Sequence, residues 1–370
     1  MIIKTDKLQE ICKNIMEAID SSAINNVITE TLELKAKENK LHLSVTNQTY
    51  FVTASIEIEQ NEEFYAVISA NLFLQLISKI TTTTIELIID KNTLIVKGNG
   101  DYKFPLIYNG NELLTLPRIN IENLTNEFVI PTEILKSILT YNSKELQKTS
   151  CIKPVQRLFY IDENGAITFT SGACINTFTL EKPIKLLLPK KIIQLFKLFN
   201  SENVNFKIGF NQFSNSINQT VIQFSNNNIE LTAIITNEQS LITSVPVNSI
   251  RGLASENYPS QIVVNKQAIL DAIDRLSIFY KDKIITLYSF LNFENSNLTV
   301  YDTKQENFEN IELTQYTNDN NYSCILNTID LKLILDSLKD EFITIKFGNG
   351  KAIVIERPNI SYILPECKVN

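Results

Sequence analysis

The chain writes the same unit three times. Each copy opens with helical spacing, then runs through an extended segment, a polar turn and a strand ending in Thr. The clearest line of the unit reads Leu32–Asn47 (LELKAKENKLHLSVTN), Leu158–Gly172 (LFYIDENGAITFTSG) and Leu291–Thr303 (LNFENSNLTVYDT). With Leu41, Ile167 and Leu298 set equivalent, the period is about 125 to 130 residues, too long for a solenoid and right for a small domain. At 370 residues and 44% hydrophobic composition, each copy can bury a core of its own. Three like domains without a catalytic constellation point to geometry, not chemistry, as the function.

Two helix patterns occur in every copy. Thr5–Asp20 places Leu8, Ile11, Cys12, Ile15 and Ile19 on one stripe, and Ser69–Ile80 follows with Ser69 or Asn71 as its N-cap. Pro131 and Pro189 stand at the starts of Thr132–Lys148 and Lys190–Phe199, and the third copy has Asn265–Lys281 and Thr328–Asp340. After the second helix of each copy come paired runs with polar or Gly-bearing turns: Ile85–Ile89 with Thr93–Lys97, Val204–Phe210 with Thr220–Phe224, Phe342–Phe347 with Ala352–Glu356. An amphipathic helix needs a sheet to cover, so the expected class is α+β, helices on one face of antiparallel sheets. Leu116–Asn126 and Val247–Gln261 read as connectors, which sets domains at 1–122, 123–252 and 253–370. Asn211–Asn218 reads as a loop or an insertion.

The residues argue against catalysis. The single histidine, His42, lies on the polar face of an alternating strand, and without it no Ser/His/Asp or Cys/His system can be assembled. Phe347–Lys351 (FGNGK) lacks both the spacing and the Ser/Thr of a phosphate loop and reads as a hairpin turn. The acidic pairs Asp271/Asp274 and Asp336/Asp340 are solvated helix faces. Five scattered cysteines (Cys12, Cys151, Cys174, Cys324, Cys367) form no CxxC pair, so neither a metal nor another cofactor is expected. The opening MIIKTDKLQE lacks a signal-peptide core, and no run approaches the ~18 apolar residues of a membrane span. A cytoplasmic, membrane-free protein is the expectation. A net charge of −7 argues against coating nucleic acid through bulk charge but leaves room for a local basic surface.

Three helix-faced domains can close with a second chain, head to tail, into a ring of twelve helices. Helices ~10 Å wide give a circumference of ~120 Å and leave roughly 28 Å inside, enough for a DNA duplex. Leu298–Leu313 (LTVYDTKQENFENIEL), Cys324–Leu338 (CILNTIDLKLILDSL) and Ser361–Pro365 (SYILP) match the third domain of a known family. The chain resembles the bacterial sliding clamp, the beta subunit of DNA polymerase III, as a divergent member and over essentially its full length.

The resemblance implies three clamp-type domains, a homodimeric ring around double-stranded DNA, and a role as processivity factor. It further implies short-peptide contacts with DNA polymerase and the clamp loader. Its dimer interface falls on Phe104, Leu106, Ile278 and Phe279, for each of which core burial is the competing reading. Its partner-peptide pocket falls on Val155, Thr170, Gly172, Ile175, Val245, Ile363, Leu364 and Pro365. Here the chain departs from the family. Ser171-Gly172-Ala173-Cys174 stands for Asp-Gly-His-Arg, Ser240–Thr243 (SLIT) replaces the Phe-Pro-Asp-Tyr line, and the terminus extends to Asn370. The DNA-facing surface falls on Lys136, Lys144, Lys148, Lys190, Lys191 and Lys197, while Ala23–Thr29 (AINNVIT) lacks the family's arginine. Direct DNA contact is therefore expected to be weak. The alternatives are a specialised clamp paralogue or decoy, and a non-catalytic repeat scaffold or adhesin.

Overall fold

The computed structural model describes residues 1–19, 27–59, 63–145, 153–214, 217–279, 288–294, 297–317 and 321–367. Among them every helix expected from periodicity is present. They are α1 (Thr5–Met16), α2 (Ala70–Ile77), α3 (Thr132–Ser137), α4 (Ser143–Glu145), α5 (Lys190–Leu195), α6 (Gln239–Ser244), α7 (Val247–Ser255), α8 (Lys266–Ser277) and α9 (Thr328–Ser337), with α6 and α7 unexpected. Leu8, Ile11, Cys12 and Ile15 form the buried stripe of α1, and burial pushes the Cys12 thiol far up. Asn265 and Asn327 cap α8 and α9, each side chain accepting from the backbone N–H three residues on at 3.1 Å. A π turn, Ile138–Asn142, joins α3 to α4. It lets the Asn142 carboxamide reach the carbonyls of Ala166 and Cys174 at 3.3 Å.

Each copy builds two antiparallel sheets around four strands in the same order, and the third copy adds Gln315–Thr317 as a fifth strand beside Ser260–Asn265. Sheets of the first kind are Ia (Ile2–Lys4, Thr84–Asp90, Thr93–Lys97, Asp101–Pro105), IIa (Asn123–Pro131, Asn203–Ser214, Ile217–Ser225, Ile229–Ile235) and IIIa (Ser260–Asn265, Phe342–Phe347, Ile353–Arg357, Ile360–Leu364). Sheets of the second kind are Ib (Phe64–Ser69, Thr31–Lys37, Lys40–Thr46, Tyr50–Glu57), IIb (Lys185–Pro189, Leu158–Asp162, Gly165–Phe169, Ala173–Thr177) and IIIb (Tyr322–Asn327, Tyr288–Glu294, Asn297–Tyr301, Phe308–Glu312). The paired runs read from the sequence are the central strands of the first kind. Asn211–Asn218 is neither loop nor insertion up to Ser214, since pairing continues there.

Sheets fuse between copies. The last strand of IIa adds to the last strand of Ib (Ile229 opposite Ala54, Ala233 opposite Tyr50). The last strand of IIIa adds likewise to IIb (Ala173 opposite Ile363, Asn176 opposite Ile360). Two compact units result, 1–133 with 194–236 and 134–193 with 237–370. In the first, α1 and α2 cover the Ib side, and an aromatic cluster of Phe128, Phe196, Phe199, Phe206 and Phe224 fills the IIa side. Arg118, in the first connector, donates to the buried Glu33 carboxylate and lies 4.3 Å over the Phe51 ring, pinning that connector to sheet Ib. The second connector differs from its reading as a loop: Val247–Ser255 is helical and Ser260 already begins a strand.

Candidate functional site

The seam between IIb and IIIa has two faces because side chains alternate along paired strands. Cys174, Tyr362 and Leu364 point into the core beneath α8 and α9. Ala173, Ile175 and Ile363 point the other way. There they join Val155, Tyr160, Ile167, Leu187, Val354, Ile242, Val245 and Ile250 in a separate apolar cluster. Four predicted pocket residues, Val155, Ile175, Val245 and Ile363, therefore meet on one face. Leu364 does not, being one residue out of phase. Thr170 is buried and its hydroxyl donates to the Glu145 carboxylate, its N–H to the Gly172 carbonyl. Pro365 is exposed.

Helices α6 and α7 lie over this cluster. Leu241, Val247, Leu253, Ala254 and Tyr258 pack on it half-buried. Arg251 of α7 donates to both oxygens of the buried Asp162 carboxylate at 2.7 and 2.9 Å. Asp162 sits in a hairpin closed by Gly165 at φ 147°, where a Cβ would stand 2.3 Å from the Asn176 carbonyl oxygen. Burial, and then the Asp162 charge, raise the neighbouring Tyr160 phenol to about 12. Beside α7 a cleft of about 650 Å³ remains, bordered by Ile175, Thr177, Arg251, Glu256, Glu356 and Ser361. None of α7's part in this site was legible as a helix.

The predicted interface residues divide. Ile278 and Phe279, just past α8, are 71% and 63% exposed. Phe104 and Leu106 are not: both are buried in the first unit, Phe104 edge-on to Phe73 with ring centroids 5.7 Å apart. The competing core reading holds for this pair. Sequence reasoning missed Phe308, an exposed ring on the edge strand of IIIb beside Tyr301. Its only signal was the alternation in that strand.

Of the predicted DNA-facing lysines, Lys136 and Lys190 are exposed and Lys144 and Lys191 half-exposed. Lys148 lies outside the described residues. The Lys197 ammonium is paired with Glu17, the residue that caps the C-terminus of α1, so its charge is opposed. Among the described residues no group of three or more His, Cys, Asp or Glu could hold a metal ion. No helix there is long and apolar enough to cross a membrane.

His42 is half-buried on sheet Ib, and burial followed by Lys40 lowers its pKa below the usual 6.5. The unfolded chain then takes up the proton first, so stability present above that pH is lost as pH falls through the folded value. His42→Gln is expected to flatten the fall of the urea midpoint between about pH 7 and pH 5. An unchanged slope would show that His42 titrates as it does in the unfolded chain.

The comparisons with known proteins bear on the fold of the whole chain. Residues 1–123 match the family model of the DNA polymerase III beta subunit, N-terminal domain. A beta sliding clamp of Rickettsia felis is 22% identical over 374 residues, covering 93% of each chain. Another from Mycoplasmopsis pulmonis is 27% identical over 125 residues, which is 33% of this chain and 31% of that protein. Among solved structures, the beta subunit of Streptococcus pyogenes DNA polymerase matches at TM-score 0.81 and 15% identity, covering 100% of this chain and 99% of that one. The Bacillus subtilis DNA polymerase sliding clamp matches at TM-score 0.79 and 16% identity with the same coverage.

Proposed function

We propose that this chain, a divergent member of the bacterial DNA polymerase III beta-subunit family, is a DNA sliding clamp. It is read as a non-catalytic ring that encircles duplex DNA and tethers the replicative polymerase. One observation carries the ring: a rule of sheet addition left incomplete. In two of three cases the last strand of an a-type sheet joins the last strand of a b-type sheet of the preceding copy. Among the described residues, the strands left over are Asp101–Pro105 of Ia and Phe308–Glu312 of IIIb, each paired only within its own sheet. They are the complementary ends of one joint. Two chains meeting head to tail complete it twice, as a closed heterologous assembly requires.

The exposed residues suit that joint. Ile278 and Phe279 follow α8, and Arg275 of α8 is paired with Glu309 on the free strand at 2.6 Å. The strand of Ia carries Lys103, and that of IIIb carries Glu309 and Glu312. On this reading the three copies are the three domains, cut near 122 and 253. The apolar face of the IIb–IIIa seam receives polymerase and loader peptides. Lys136, Lys144, Lys190 and Lys191 supply a modest electrostatic contact with the duplex.

The test is topological. Loaded on a nicked circular plasmid, the protein is expected to stay bound through a high-salt wash and to be lost once the circle is linearised. A phosphate contact alone would be lost to salt in both cases. Lys190→Glu with Lys191→Glu is expected to flatten the salt dependence of direct binding by about 0.9 per lysine that meets phosphate, leaving retention on the circle unchanged. Equal loss from circular and linear DNA would overturn the clamp reading.

A further inference from the structure

The connector between the second and third copies does something the first connector does not. Residues 114–122 hold no helix, whereas Val247–Ser255 forms α7. Val247, Ile250 and Ala254 fall on one helical face, with Leu253 beside them, and this face lies on the apolar cluster of Ile175, Val354 and Ile363. Ile250 is only 6% exposed. The predicted pocket residues are covered in turn, since Val155, Ile175, Val245 and Ile363 are each 4–6% exposed.

Polar contacts fasten the middle of α7 and the segment that follows it. Arg251 holds Asp162 through two hydrogen bonds. Beyond the helix, the Lys351 ammonium donates to the Asn257 carbonyl at 2.7 Å, and the Tyr258 hydroxyl donates to Leu253 O at 2.9 Å.

Taken by itself, α7 is a poor helix. Nine residues are too few to be helical alone in water. Its N-cap position is Pro246, which offers no side-chain acceptor. Its interior contains Gly252, where an added Cβ would meet nothing within 4 Å, so no close packing demands the glycine. Such a segment stays helical because of the surface beneath it.

We propose that α7 is a resident, displaceable occupant of the partner groove. In the free protein it closes the apolar face of the IIb–IIIa seam. A partner segment enters by taking over the sites of Val247, Ile250 and Leu253 and presenting a cation to Asp162 in place of Arg251. This rests on reading that face as the partner site, and it adds to that reading how the site is gated and what chemistry opens it.

Native-state trypsin cleavage of the Arg251–Gly252 bond measures opening of α7 directly in the full-length protein. Each rate is normalised to a free peptide of the same sequence. Asp162→Asn, which keeps the cleavage site and removes the anchoring charge, is expected to speed cleavage at least tenfold. Gly252→Ala is expected to slow it about fivefold, the factor given by the glycine-to-alanine difference in helix propensity. A fluorescein-labelled peptide of residues 247–255 (VNSIRGLAS) supplies a second readout. It is expected to bind the Ile250→Asp variant at least tenfold more tightly than wild type, because the vacated groove accepts the helix in trans. Equal cleavage of wild type and both variants, or equal peptide affinity for wild type and Ile250→Asp, would overturn the proposal. Neither readout involves DNA or ring closure, so failure of the clamp reading would be seen separately, as loss from circular plasmid.

Discussion

The double variant Ile278→Asp with Phe279→Asp is expected to sediment as a monomer at concentrations where the wild-type protein is a dimer. The two side chains are the most exposed pair of apolar neighbours among the described residues, at 71% and 63%. Covering each is worth about 1.5–3 kcal/mol, so losing both removes at least ~3 kcal/mol from every joint, more than a hundredfold in affinity. Two carboxylates placed there must also be desolvated when the joint closes, which adds to the loss. Thermal stability of the subunit should barely change, because neither side chain packs in its core. A variant that remains dimeric would place the interface elsewhere.

Phe224→Ala is expected to cost about 4 kcal/mol of folding stability, the largest effect of any single substitution considered. The ring is 2% exposed and stands 5.0 Å from Phe196, 6.4 Å from Phe199 and 5.0 Å from Phe206, centroid to centroid. Phe196 belongs to the turn that ends α5 and Phe206 to the neighbouring strand of IIa. The ring therefore holds that turn against its sheet, and the cavity has aromatic walls on three sides that cannot easily collapse. Scanning calorimetry should show the melting of the first unit lowered by about 10 °C. A shift corresponding to less than ~1 kcal/mol would mean the cluster closes over the gap.

Much of the fold was legible because its regular elements bury regular faces. The α1 stripe from Leu8 to Ile15 could be read directly, as could the hairpins around Asp90-Lys91-Asn92 and Gly348-Asn349-Gly350. Fusion of sheets between copies was not legible. Alternation says which residues share a face, never which edge a strand will join, and Ile229 opposite Ala54 is a pairing across a whole copy. The helix α7 was hidden for a related reason. Its propensity is spoiled by Gly252 and a missing cap, and only the groove beneath it makes it helical. At the candidate site, the resemblance rather than any local pattern brought Val155, Ile175, Val245 and Ile363 together, while Leu364 shows how a step of one residue reverses a side chain. The pairing of Lys197 with Glu17 joins residues far apart in sequence, and no local charge count could reveal it.

A joint made by sheet addition between copies holds no record of whether the two copies it unites share a chain. A ring of six copies could be cut from one long polypeptide, three chains of two or two chains of three, with identical geometry at every joint. Cutting it into threes leaves four joints bridged by covalent backbone and two without it. On the ring reading, parting one of those two leaves the other as the single remaining hinge, and the two halves stay attached.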